Sequence, residues 1–211
     1  MLQLTMLAHS KEGGAINLGI YPTLGSRWLM PQLAKLFQKY DNLTVNTITY
    51  LSNEELDPSR IDIAITQGDP PFTGFRDDYL MPESLKVVAA KSLLSEPVVD
   101  PYELLKFRSL QHSTRPETWK IWYESIGLEL ANSPIGPMFS QFEMLIDAVK
   151  AGHGIGIVPH VLVKNELAKG QLVKAHEHVC TPKSAYYLLT PSVKVGIEKI
   201  ERVRNWLLKE Q

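Results

Sequence analysis

The chain has 211 residues, 22 of them basic and 23 acidic, and 44% are hydrophobic. That is enough for one large globular core or two small ones, and the near-neutral balance without a long basic run excludes a nucleic-acid footprint on this chain. The single cysteine, Cys180, excludes an internal disulfide framework and fits a reducing compartment. No apolar run approaches the roughly 20 residues that span a bilayer.

The first residues, MLQLTMLAHSKEGGA, are too polar after their apolar start for a signal peptide. They read as the end of a helix released at Gly13-Gly14. A strand-type run, Ile16 to Ile20, then breaks at Tyr21-Pro22-Thr23. After Gly25-Ser26 an apolar stripe follows at Leu29, Leu33, Leu36, Phe37 and Tyr40, which predicts a helix with Pro31 in its first turn. A strand leading through a tight loop into a helix is the organising feature. In α/β sheets such loops lie at the carboxyl edge of the strands, where small ligands bind.

Leu43 to Tyr50 alternates and is β-branched, hence a strand. Ser52-Asn53-Glu54-Glu55 reads as a cap with at most one helical turn before Pro58, and Ile61 to Thr66 as a buried third strand. Strands alternating with helical segments predict βαβ units and a parallel sheet. After the loop GDPPFTGF come strands around Tyr79 to Met81 and Leu85 to Ala90. A second unit begins near Lys91. It has a short helix at Asp100 to Leu105, a strand at Phe107 to Gln111, and a helix carrying Trp119, Trp122 and Ile126. A strand at Ile135 to Phe139, a helix at Gln141 to Ala151, a strand at Ile155 to Val158 and a helix at Val161 to Ala168 follow, the last stopped at Gly170. Ser184 to Thr190 is strand-like. The last helix, Val193 to Lys209, is expected to bury Ile197, Ile200, Val203 and Leu207. Two similar α/β units point to a bilobed body with a ligand cleft.

PTLGSRWLMPQLAKLFQKY followed by IDIAITQG, and SQFEMLIDAVKAGHGIGIVPHVLVKNELAKGQLV at residues 140–173, resemble the effector-binding domain of LysR-type transcriptional regulators. Arg27-Trp28-Leu29, HSTRPETW and GPMFS are most similar to the branch of glycine-cleavage and β-lactamase regulators. The resemblance covers about residues 15–209. It implies an α/β fold like type II periplasmic binding proteins, with two lobes joined by two crossover strands at Leu85 to Ala90 and Ser184 to Thr190. The implied division is residues 1–14 as a linker-helix remnant and hinge, 15–88 as lobe I, 89–185 as lobe II and 186–211 as the return to lobe I. It also implies an N-terminal winged helix-turn-helix arm, which this chain lacks, so that DNA is met only through that arm. A homodimer through this domain, a tetramer of the longer regulator, a cytoplasmic location, no membrane contact and no catalysis are the further expectations.

The candidate ligand residues follow in order. Thr23, Leu24, Gly25 and Ser26 form the first strand-to-helix loop, whose alternative role is a plain helix cap. Ser52 and Asn53 end the second strand and serve equally as an Asx-type cap. Ser113 and Arg115 lie in HSTR before Pro116, where Arg115 is suited to pair an anionic effector if the loop faces the cleft; the alternative is a surface loop capping a helix with Pro116 and Glu117 in its first turn. Ser140, Gln141 and Phe142 begin the corresponding helix of the second unit, and His160 closes its strand at the cleft edge. The expected partner is a small-molecule effector, carboxylate or amino-acid-like. No cofactor and no metal are expected.

Two motifs are weighed and set aside. Gly152-His153-Gly154-Ile155-Gly156 follows a helix and enters a strand, the reverse of a dinucleotide fingerprint, so its glycines are read as a helix cap and close packing. His176, His178 and Cys180 alternate on one strand face. With no second cluster to complete a metal site, an edge strand is the better reading. A stand-alone solute-binding protein would need an export signal, and an enzyme on this fold would need a converging acid, base or nucleophile. Neither is found in the sequence.

Overall fold

The computed structural model describes residues 14–129 and 136–209. The linker remnant up to residue 13 and Ile135 of the expected strand therefore lie outside the described residues. Apolar alternation makes β1 (Gly14–Ile20), whose Ile16, Leu18 and Ile20 are buried. Pro22 follows at the first helical position, where its missing N–H costs nothing, and opens α1 (Pro22–Leu24). A π-helical turn (Gly25–Leu29) runs directly into α2 (Met30–Lys39). The helix thus starts several residues earlier than its stripe implied. Pro31 sits inside it, behind a wide turn in which the Met30 N–H reaches the Gly25 carbonyl. Such a turn accommodates the lost hydrogen bond of a helical proline. Leu29, Leu33 and Leu36 are buried, whereas Phe37, one step further round, is 40% exposed.

The chain continues through β2 (Leu43–Thr49), one 3-10 turn (Asn53–Glu55), β3 (Ile63–Gly68), β4 (Phe75–Pro82) and β5 (Leu85–Ala90). A second 3-10 segment (Pro101–Lys106) precedes β6 (Ser109–His112) and α3 (Thr118–Glu124). Then come β7 (Met138–Phe139), α4 (Phe142–Lys150), β8 (Ile155–Pro159), α5 (His160–Ala168), β9 (Leu172–Cys180), β10 (Ala185–Pro191) and α6 (Glu198–Lys209).

Two compact units result, one holding the chain up to Pro82 and from Lys183 onward, the other Glu83–Pro182. The boundaries fall at two prolines, a few residues before those expected at 88 and 185, because each crossing strand belongs whole to one sheet. The sheet orders are β2-β1-β3-β10-β4 and β7-β6-β8-β5-β9. β1 is parallel to β2 and β3, and β6 to β7 and β8, as the βαβ reading requires. β10 runs antiparallel to β3 and β4, and β5 to β8 and β9, so both sheets are mixed. β5 and β10 are the strands that follow the two passages of the chain between units.

Each core follows from the strand patterns. Ile63, Ala64 and Ile65 are wholly buried in the middle of the first sheet, the mark of a strand covered on both faces. In the second unit Trp119, Trp122 and Tyr123 on one face of α3 pack with Leu85, Val87, Ile155 and Ile157. The Trp119 indole also donates to the Leu110 carbonyl at 3.1 Å. Removing either tryptophan side chain costs about 3–5 kcal/mol. α6 begins at Glu198, not Val193, because Gly196 takes a left-handed φ of 87°. Ile197 is consequently 42% exposed, while Ile200, Val203, Trp206 and Leu207 are buried.

Candidate functional site

In the first unit the parallel strands β1, β2 and β3 end on one edge of the sheet, and the start of β10 meets that edge through Ala185 opposite Gly68. Tyr21, Thr23, Ser52, Asn53 and Thr66 gather there. Thr23 is buried in the first helical turn, and its carbonyl accepts a hydrogen bond from Ser26 Oγ at 3.2 Å. Leu24 and Gly25 are also buried, and Ser26 is exposed. Asn53 opens the 3-10 turn, with Ser52 before it in extended conformation. The Asn53 amide is the hub of the edge. Its Oδ1 accepts from the Tyr21 hydroxyl at 2.7 Å and from Thr66 Oγ1, and its Nδ2 donates to the Gln67 carbonyl at 3.3 Å. Behind it, the Tyr50 hydroxyl donates to the Ile65 carbonyl at 2.7 Å, and the Tyr21 and Tyr50 rings lie 4.7 Å apart. Burial, and then the neighbouring Tyr21, push the Tyr50 phenol far above its ordinary range.

Tyr21, Tyr50 and Thr66 are the members that sequence reasoning missed. Tyr21 and Thr66 were readable as the polar residues at the carboxyl ends of β1 and β3, adjacent positions in parallel strands.

The second unit repeats the arrangement. His112 pairs in register with Phe139 where β6 and β7 end, and β8 ends in Pro159 opposite Leu85. Ser113 and Arg115 follow β6; Ser140, Gln141 and Phe142 follow β7; His160 follows β8. Gln141 is the extended N-cap residue of α4 and makes no side-chain cap hydrogen bond. The first-turn N–H groups of an α-helix have no partner within the helix, so they turn to acceptors outside it. The His160 N–H donates to the Ser84 carbonyl at 2.7 Å, tying α5 to the start of β5. Burial, then Lys86 and Lys164, lower the His160 imidazole below its usual range.

Arg115 is anchored here. Its Nη1 lies 2.6 Å from Oε1 of Glu83, a carboxylate with only 2% of its side chain exposed. Its guanidinium stands 5.3 Å from the centre of the Phe142 ring, and the His112 ring lies 4.3 Å from that same ring. The Thr114 N–H and hydroxyl approach His112 Nδ1 at 3.4 and 3.0 Å. Burial and the Arg115 charge lower His112 to about 4, so the imidazole is neutral at pH 7. His112 and Glu83 were not among the expected contacts. Glu83 in particular has no signal in sequence, because its burial depends on the loop after β6.

The two motifs set aside earlier have structural explanations. A Cβ on Gly154 would stand 2.3 Å from the Arg108 carbonyl oxygen, and one on Gly156 2.7 Å from Leu145 Cδ2. These glycines permit close packing of α4 and β6 around β8. His176, His178 and Cys180 share one face of β9, an outer strand of its sheet. His176 Nδ1 accepts the His178 N–H at 3.0 Å, His178 Nε2 lies 2.8 Å from Ser125 Oγ, and both rings stand edge-on to Trp122. Among the described residues no three His, Cys, Asp or Glu side chains are grouped to hold a metal. A shallow cavity of 260 Å³ in the first unit is lined by Tyr50, Glu55, Asp57, Arg60 and Ile61 among others, and shares only Tyr50 with the edge described above. No helix among the described residues is long and apolar enough to cross a membrane.

The chain is 28% identical over 197 residues to the glycine cleavage system transcriptional activator of Escherichia coli K12, covering 92% of this chain and 64% of that protein. It is 30% identical over 199 residues to the HTH-type transcriptional regulator TrpI of Pseudomonas aeruginosa, covering 92% of this chain and 66% of that one. The fold matches the effector domain of the transcriptional regulator AmpR of Pseudomonas aeruginosa with a TM-score of 0.82 at 20% identity, over 92% of this chain and 94% of that chain. The two α/β units are thus the two lobes of a periplasmic-binding-protein-like fold. Residues 9–211 match the LysR substrate binding domain, and the chain belongs to that family.

Proposed function

We propose that this chain is the effector-sensing and oligomerising domain of a LysR-type transcription regulator, and that it recognises a small anionic ligand at the carboxyl edges of its two units. The observation that carries the reading is that both units end their parallel strands in hydrogen-bonding side chains beside helix first turns. Thr23, Asn53 and Ser52 supply one edge, and Arg115, Ser113, Ser140, Gln141, Phe142 and His160 the other. Such ends favour anions, and a guanidinium adds directional donors. At the first edge Thr66 Oγ1 is bonded to the Asn53 amide oxygen and Ser26 Oγ to the Thr23 carbonyl, neither of them a general base. That arrangement suits binding, not nucleophile activation.

The relatives are transcriptional regulators, and the chain spans 64% of the length of the first of them. DNA contact is accordingly assigned to a winged helix-turn-helix arm outside this chain. Ligand binding changes the population of states that position such arms, in a cytoplasmic homodimer that tetramerises in the longer regulator. A thermal-shift screen of small carboxylates and amino acids identifies the effector. Thr23→Val is expected to weaken its affinity about tenfold, as loss of one hydrogen bond to a charged group does, with an unchanged circular dichroism spectrum. Unchanged affinity by calorimetry removes Thr23 from the site.

A further inference from the structure

We propose that Tyr21 and Thr66 are positioning residues that lock the Asn53 amide, so that Asn53 offers the effector a single N–H donor and no acceptor. This rests on the effector reading above and adds to it two residues and a polarity. The ligand atom that Asn53 meets is a hydrogen-bond acceptor, such as a carboxylate or carbonyl oxygen. The amide's orientation follows from its neighbours. A backbone carbonyl only accepts, so the Asn53 atom 3.3 Å from the Gln67 carbonyl is the nitrogen, and the oxygen faces the other way. That oxygen has two acceptor sites. Two hydroxyls take them, Tyr21 at 2.7 Å and Thr66 Oγ1. Thr66 has no exposed surface, so its hydroxyl has no water to turn to. The Tyr21 ring is held beside the Tyr50 ring at 4.7 Å, and the Tyr50 hydroxyl is itself spent on the Ile65 carbonyl.

Counting hydrogens gives the polarity. Nδ2 carries two, and the Gln67 carbonyl takes one. The second meets no acceptor among the described residues. Asn53 is half-buried and opens the turn after β2, at the strand edge. Gly68 brings no side chain to the nitrogen; a Cβ there would stand 3.7 Å from Nδ2. A free asparagine side chain turns to suit a donor or an acceptor. One whose oxygen is filled by two hydroxyls does not, and a ligand ammonium would set N–H against N–H and leave both unpaired.

The test uses the 211-residue chain, uniformly nitrogen-labelled, titrated separately with acetate and methylammonium. In the free chain the two Nδ2 protons of Asn53 are expected to differ, one exchanging slowly with water and the other fast. The fast proton is expected to move saturably with acetate and not with methylammonium. Thr66→Val keeps the shape but loses the hydroxyl, and is expected to bind acetate about tenfold more weakly and to discriminate less against methylammonium. Thr66→Ser is expected to restore both. Tyr21→Phe is expected to act in the same direction, and decides the matter if Thr66→Val does not fold. A purely structural role lowers the melting temperature of these variants but leaves the Asn53 signals and the preference for acetate unchanged; that result overturns the proposal. Two equally slow Nδ2 protons in the free chain, or an equal response to both probes, overturn it as well. Static Asn53 signals while those of Ser113 and Gln141 shift with acetate overturn the role of Asn53 and leave the effector reading standing. Static signals throughout the chain contradict carboxylate recognition at both edges, and the proposal with it.

Discussion

Tyr50 is 4% exposed, and its hydroxyl is spent on the Ile65 carbonyl inside the sheet edge. Tyr50→Phe leaves that carbonyl without its partner and is expected to cost about 1–2 kcal/mol in urea unfolding, without changing the sheet. His112 gives a pH dependence with a definite sign. Its folded pKa is about 4 and its ordinary value 6.5. Between those values the unfolded chain holds a proton that the folded chain does not. Stability is therefore full above about pH 6.5 and declines as the pH falls toward 4. His112→Phe is expected to flatten that part of the profile, measured as urea midpoints at pH 7 and pH 5; an unchanged slope contradicts the assignment. At this scale the sequence was informative where a residue's neighbours in the chain determine its place, as with Thr23 after Pro22 or Gln141 before α4. It was silent on Glu83, whose partner stands 32 residues away, and it offered Tyr21 and Thr66 only as polar strand ends, not as partners of Asn53, 32 and 13 residues distant.

Among the elements, α6 is secured to β4 by charge as well as by its buried stripe. Arg204 donates to both oxygens of Asp78, with Nε at 2.6 Å from Oδ2, and Arg76 reaches Glu201 at 2.8 Å. The Asp78 hydrogen bonds raise the pKa of Arg204. Burial disfavours the Glu201 carboxylate, but the Gly196 N–H together with Arg76 and Arg204 hold it below its usual range. The Arg204 and Asp78 side chains are 17% and 18% exposed, so breaking the pair leaves a largely buried charge. Arg204→Ala is expected to cost about 2 kcal/mol, a fall of roughly 4–8 °C in melting temperature for a chain of this size. Gly154→Ala sets a Cβ against the Arg108 carbonyl oxygen and is expected to destabilise by about 2–3 kcal/mol. A Gly154→Ala chain with the natural melting temperature contradicts close packing as the reason for that glycine run. Periodicity located most helices and strands. It failed where a helix continues through a proline, at Pro31, and where one glycine delays a helix, at Gly196.

For the whole molecule, the doubled strand–helix order was visible in the sequence because each βαβ segment carries its own periods. The exact division was not, because the two strands that follow the crossings are apolar like their neighbours, and only hydrogen-bond pairing assigns β5 to one sheet and β10 to the other. That division gives each unit its own edge, proposed above to sense a small anion without transforming it. Hydrogen exchange of the chain, with and without the compound that most raises its melting temperature, tests this most directly. Slowed exchange is expected at residues 21–25 and 52–53 and at 113–115 and 140–142, with the compound recovered unchanged. Chemical conversion of the compound, or protection confined to the cavity beside Arg60 and Ile61, would contradict it.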